Sequence, residues 1–164
     1  MQGYQYCPRG SVNLRIRLLS FLPGSPARRD CCIVAQYDEA REFWRRAVDA
    51  IALAKAGVEI SPDGAANRAY YAVFHAASAL FAMEDRFFTR HSALESAIHR
   101  DLVHTGRWPK ELGALYADLH KLRNIGDYGD LRHVSKEEAA QAVQGAIQIL
   151  HAVHDVYPNA FPMT

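Results

Sequence analysis

From Asp38 onward the chain repeats apolar residues at the spacing of an α-helix, and this periodicity is what most constrains its fold. Ala40, Phe43, Trp44, Ala47, Val48, Ile51 and Ala54 follow the i, i+3, i+4, i+7 rule, with Arg41, Glu42, Arg45, Arg46 and Asp49 opposite. Gly57 is placed to end this first helix. Ser61 and Pro62 then supply an N-cap and a first-turn proline for a second. Its stripe is Ala66, Ala69, Tyr70, Val73, Phe74, Ala77, Leu80 and Phe81. Alanines crowd this helix between Ala65 and Ala79, so little side chain holds a neighbouring helix away. The second helix is therefore expected to be central.

The same reading continues to the C-terminus. Ser92 with Glu95 has the form of a capping box and predicts a third helix carrying Leu94, Ile98, Leu102 and Val103, ending near Gly106. Pro109 opens a fourth, with Leu112, Leu115, Tyr116, Leu119 and Leu122 on one side and a loop from Gly126 to Val134 after it. Ser135 with Glu138 is a second capping box, and Ala139, Ala142, Val143, Ala146, Leu150, Val153 and Tyr157 give the last helix its apolar face. No alternating pattern of strands and no repeat occurs. Five helices with short connections predict an all-α, antiparallel four- to five-helix up-and-down bundle.

Residues 1–35 carry neither periodicity and hold the turn signals Pro8, Gly10, Pro23, Gly24 and Pro26. They are expected to be an unstructured basic extension in front of a helical domain over residues 36–160. Their charge supports the division. The whole chain has 19 Lys+Arg against 18 Asp+Glu. Arg9, Arg15, Arg17, Arg28 and Arg29 face only Asp30 in this first segment, so the acidic excess falls on the bundle. A folded part of that sign is no general adsorber of nucleic acid, and any RNA contact needs a local cluster of cations. Cys7, Cys31 and Cys32 also lie in this segment; an odd count outside the periodic region argues against a disulfide framework. No apolar run approaches the ~20 residues that span a bilayer, and Leu18 to Leu22 is too short for a signal-peptide core. A cytoplasmic protein without membrane attachment is expected.

Two segments carry residues suited to chemistry. On the second helix Arg68, Tyr71 and His75, spaced by three and four, share one face. A guanidinium, a phenol and an imidazole on one ridge suit a phosphate with its base or ribose; they equally suit a helix interface satisfied by internal hydrogen bonds. On the fourth helix the apolar stripe from Leu119 continues onto Arg123. A guanidinium on an inner face needs a partner, and Asp127, one turn on, is the local candidate. Either the two form an intramolecular ion pair with Tyr128 beside it, or Arg123 is held ready for a phosphate in a groove. His151 and His154, like His99 and His104, lack a third ligand at metal-binding spacing, so solvated faces are expected for them and no metal or cofactor is expected.

Taken in order, five motifs resemble the small prokaryotic branch of the HEPN domain family. They are Asn67-Arg68-Ala69-Tyr70-Tyr71-Ala72-Val73-Phe74-His75-Ala76-Ala77, Arg90-His91-Ser92, Thr105-Gly106-Arg107-Trp108-Pro109-Lys110-Glu111, Arg123 to Asp127-Tyr128, and Ser135-Lys136-Glu137-Glu138-Ala139. The resemblance covers about residues 38 to 157 and implies a helical bundle that forms a homodimer. It also implies a nucleotidyltransferase-type antitoxin partner, RNA or nucleotide as ligand, and a place in a toxin–antitoxin or defence module. Active members resemble one another in an Arg-x(4–6)-His motif used for metal-independent RNA cleavage, the Arg on the scissile phosphate and the His exchanging protons. Carried onto this chain, the candidate catalytic residues are Arg123, Asp127, Tyr128 and His75, and the candidate nucleotide- or RNA-binding residues are Arg68, Tyr71 and Asn124. The chain departs from the motif where the histidine should stand. Tyr128 occupies that position, and a phenol titrating near 10 is a poor base at neutral pH. The alternative is a non-catalytic nucleotide- or protein-binding partner.

Overall fold

The computed structural model describes the backbone of residues 26–128 and 132–163, and the side chains of 37–127 and 132–163. Every regular element among them is helical: α1 (Pro26–Gly57), α2 (Pro62–Ala82), α3 (His91–Ala97), a π-helical segment (Ile98–Val103), α4 (Lys110–Tyr128) and α5 (Lys136–Val156). They form the all-α antiparallel bundle that the periodicity predicts, and the chain from Ala35 onward is one compact unit.

α2 is the central helix. Ser61 caps it, its hydroxyl accepting from the Gly64 amide at 3.2 Å, and Pro62 stands in its first turn. It packs chiefly against α5 and α4, and α4 in turn meets α5. Tyr70, Val73, Leu80 and Phe81 are fully buried along it, and so are most of its alanines. The small side chains let neighbouring backbones approach, so the core is made of close helix contacts filled by a few large groups. From α1, Ala40, Trp44, Ala47, Ile51 and Ala54 enter the same core. Capping at α5 follows the sequence reading: Ser135 accepts from the Glu138 amide while Glu138 accepts from the Ser135 amide.

Several boundaries differ. Helical backbone begins at Pro26, ahead of Asp38, so residues 26–35 of the expected extension are helical. No glycine or further proline interrupts the chain between Pro26 and Gly57, and a proline is compatible with a first turn. The Ser92 capping box does not form. Arg90 is the N-cap of α3 and makes no side-chain capping bond, because the helix already includes His91, whose ring is anchored on Tyr70. α4 runs past Gly126 to Tyr128 instead of stopping in a loop. Gly126 serves a close approach there: a Cβ on it would lie 3.2 Å from the Asp63 carbonyl oxygen at the start of α2. The core also reaches beyond residue 160. Phe161 is fully buried, its ring stacked on Trp44 at 5.2 Å, and the Trp44 indole N–H donates to the Pro162 carbonyl at 2.9 Å.

Candidate functional site

α1 and α2 leave a groove of about 450 Å³ between them, lined by Arg46, Asp49, Ala50, Leu53, Arg68, Tyr71 and His75. The three residues that share a face by spacing therefore do line one surface, and α1 adds a second arginine. Arg68 is exposed; Arg46 is held by Glu42, 3.0 Å away, with its guanidinium 6.0 Å from the Phe43 ring centroid. His75 stacks on Phe43 at 6.3 Å, and its Nδ1 is buried with no hydrogen-bond partner among the described residues. Burial, then the positive charge of Arg46 and the neighbouring His91, pull its pKa down to about 4. At neutral pH His75 is thus an uncharged imidazole, and the charged groups that line the groove are Arg46, Arg68 and Asp49, the last held by Arg45 at 2.8 Å. Such a surface, two cations with an exposed phenol edge and a neutral imidazole, suits a phosphate and an attached ring.

The residues of the second segment gather elsewhere, along α4. Arg123 Nε lies 2.9 Å from Asp127 Oδ2, and only 14% and 27% of the two side chains are exposed. Asp127 also accepts from Asn67 Nδ2 of α2, and Asn124 Oδ1 accepts from Arg123 Nη1 at 3.0 Å. Arg123, Asn124 and Asp127 thus form one network that ties α4 to α2. The ion pair that one of the two accounts of Arg123 expects is present. The side chain of Tyr128 lies outside the described residues.

Between the two lies a set of side chains that the sequence reading did not assign. Tyr70 Oη and His91 Nδ1 are 2.8 Å apart, and His120 Nδ1 is 2.9 Å from Glu95 Oε2. The His120 ring stacks on Tyr70 at 5.0 Å and lies 6.2 Å from the His91 ring. Tyr70 is fully buried, which pushes its hydroxyl up to about 12, while burial, then Arg123 and His120, pull His91 downward. Tyr71 connects this set to the groove: its ring meets His75 at 6.2 Å and His91 at 5.9 Å. A signal was available. Tyr116, His120 and Arg123 share a helix face by their spacing, as do His91 and Glu95, but Tyr70 sits on an apolar stripe and reads as core.

The remaining histidines divide. His99, His104 and His151 are exposed as expected. His154 is not, because its Nδ1 donates to the Phe161 carbonyl at 2.7 Å and holds the C-terminal segment down. No group of three or more metal-ligating side chains occurs among the described residues, and no helix among them is long and apolar enough to cross a membrane.

Residues 39–156 match the HEPN domain family. The chain belongs to the HEPN family. It is 35% identical over 117 residues to a UPF0332 protein of Thermotoga maritima, an alignment covering 68% of this chain and 86% of that relative. It is 33% identical over 78 residues to a UPF0332 protein of Gloeobacter violaceus, covering 47% of this chain and 62% of that one. Within the HEPN match lie the groove residues Arg68, Tyr71 and His75, the Arg123–Asp127 pair and the His91–His120 set.

Proposed function

We propose that this HEPN domain binds RNA or nucleotide through the groove between α1 and α2, as the homodimeric partner of a nucleotidyltransferase in a toxin–antitoxin or defence module. The observation that carries the reading is the convergence of Arg46, Arg68, Tyr71 and His75 on one groove in an otherwise acidic bundle. Local cations, rather than net charge, supply phosphate affinity here. Arg68 takes the phosphate, Tyr71 offers a face to the base, and neutral His75 supplies a hydrogen bond. The domain acts in the reducing interior of the cell.

Binding rather than cleavage is favoured by the end of α4. The Arg-x(4) position holds Tyr128, and Arg123 is paired with Asp127. A general base near neutrality is missing from that motif.

The partnership is tested by co-expressing the tagged chain with the product of the adjacent reading frame, which this reading expects to be a nucleotidyltransferase. Retention of that protein through purification, together with RNA in the eluate that disappears in Arg68→Ala, is the expected result. A chain that elutes at about 18 kDa, alone and free of RNA, would sink the reading.

A further inference from the structure

The His91–His120 set has the construction of a binding subsite. Each imidazole is fixed at Nδ1 by a partner on another element, His91 by Tyr70 and His120 by Glu95, and each leaves Nε2 for a ligand. Both histidines are half-buried, with 22% of the His120 side chain exposed. The two nitrogens are chemically different. An ionised carboxylate only accepts, so His120 donates from Nδ1, and in the neutral ring Nε2 then carries the lone pair. Tyr70 Oη also meets the Tyr116 hydroxyl, which donates to it, and this leaves the Tyr70 proton for His91 Nδ1. Tyr70 donates there, and the neutral His91 ring then carries its proton on Nε2; this tautomer is assigned from the network. One imidazole thus presents a donor and its neighbour, with ring centroids 6.2 Å apart, presents an acceptor.

Phosphate oxygens accept hydrogen bonds and a ribose 2′-hydroxyl donates one, so adjacent donor and acceptor nitrogens match a ribose–phosphate unit. Tyr71 joins the pair to the groove through ring contacts to both His75 and His91. We infer that His91 and His120 form a second subsite, in which His91 Nε2–H holds a phosphate and His120 Nε2 accepts from a 2′-hydroxyl, so that the ligand is a ribo-oligonucleotide running from the α1–α2 groove over Tyr71. The inference rests on the groove as the first subsite. Arg123, committed to Asp127, adds positive potential beside His91 and makes no contact that the argument needs. A mononucleotide fills the groove alone; a dinucleotide reaches both subsites and is read as RNA rather than DNA.

The test is calorimetry of the full chain with uridine monophosphate, its 5′-phosphorylated dinucleotide, and the deoxyribose form of that dinucleotide. The ribo-dinucleotide binds at least about tenfold more tightly than the monophosphate, and the deoxy form loses about tenfold, as charge-assisted and neutral hydrogen bonds imply. His91→Asn and His120→Asn keep a polar group near the Nδ1 position and lack Nε2. The first removes the gain of the dinucleotide, and the second equalises ribo and deoxy forms. Both leave monophosphate affinity unchanged and lower the thermal midpoint, because the ring contacts to Tyr70 are lost, so affinities are measured well below that midpoint. In the unaltered protein the Cε1–H resonances of His91 and His120 shift with the ribo-dinucleotide and stay in place with the monophosphate. Equal affinity for monophosphate and dinucleotide, or a ribose preference that survives His120→Asn, overturns the inference. So do resonances that do not move. Dinucleotide binding that depends on the two histidines with no monophosphate binding would instead remove the groove and leave the second subsite standing.

Discussion

His75 makes the folded protein acid-sensitive in a defined window. Burial holds its imidazole at about 4, against an ordinary value of 6.5 in the unfolded chain. Between those two values the unfolded chain binds a proton that the folded chain does not, so stability is full above pH 6.5 and falls as pH drops towards 4. A tenfold change in proton affinity is about 1.4 kcal/mol, so the full difference amounts to about 3 kcal/mol. The ring keeps an edge in the groove, and screening by water there reduces the effect to about 1–2 kcal/mol. His75→Phe removes the titrating group and keeps a ring on Phe43. Urea unfolding of both proteins at neutral pH and near pH 4.5 separates this effect from the carboxylates and from His91, whose own downward displacement is common to both. The unaltered protein loses about 1–2 kcal/mol more than His75→Phe over that interval. Parallel losses in the two proteins would show that His75 is not held neutral by its surroundings. A phosphate in the groove works in the opposite direction, so saturating uridine monophosphate reduces the acid sensitivity of the unaltered protein.

Arg123→Ala destabilises the bundle by about 2 kcal/mol, between the small value of an exposed pair and the ~3–5 kcal/mol of a buried one. Urea midpoints measure this, and an unchanged midpoint would show that the pair with Asp127 contributes nothing to the α2–α4 junction. Phe161→Ala costs about 3 kcal/mol by vacating the Trp44 face, read in the same assay; a neutral result would mean that the C-terminal segment is dispensable. Tyr128→His restores Arg-x(4)-His and is expected to bring metal-independent cleavage of RNA in the presence of a chelator. If the unaltered chain already cleaves RNA under those conditions, the Tyr128 position is not what limits chemistry.

Much of the fold was legible because it depends on local rules. Helical spacing located five helices, and Ser61-Pro62 and Ser135 with Glu138 marked two of their starts through side-chain caps that form as read. The misjudged boundaries depend on residues far apart in the chain. Gly126 looks like a helix stop until Asp63 is placed against it, and Ser92 looks like an N-cap until Tyr70 draws His91 into α3. Phe161 follows the last periodic residue and has no pattern around it; only Trp44, on the first helix, gives it a place. The candidate site divides in the same way. Arg68, Tyr71 and His75 lie on one helix, so spacing alone could group them. Arg46 joins them only through the α1–α2 contact, and Tyr70, His91, Glu95 and His120 come together from three helices.

The claim that the α1–α2 groove, and not the end of α4, holds the phosphate is tested most directly by titrating uridine monophosphate into three proteins by calorimetry: the unaltered chain, Arg68→Ala and Arg123→Ala. The account predicts that binding is lost in Arg68→Ala and kept in the folded fraction of Arg123→Ala, because Arg123 is committed to Asp127. Binding that survives Arg68→Ala and disappears in a folded Arg123→Ala would contradict it.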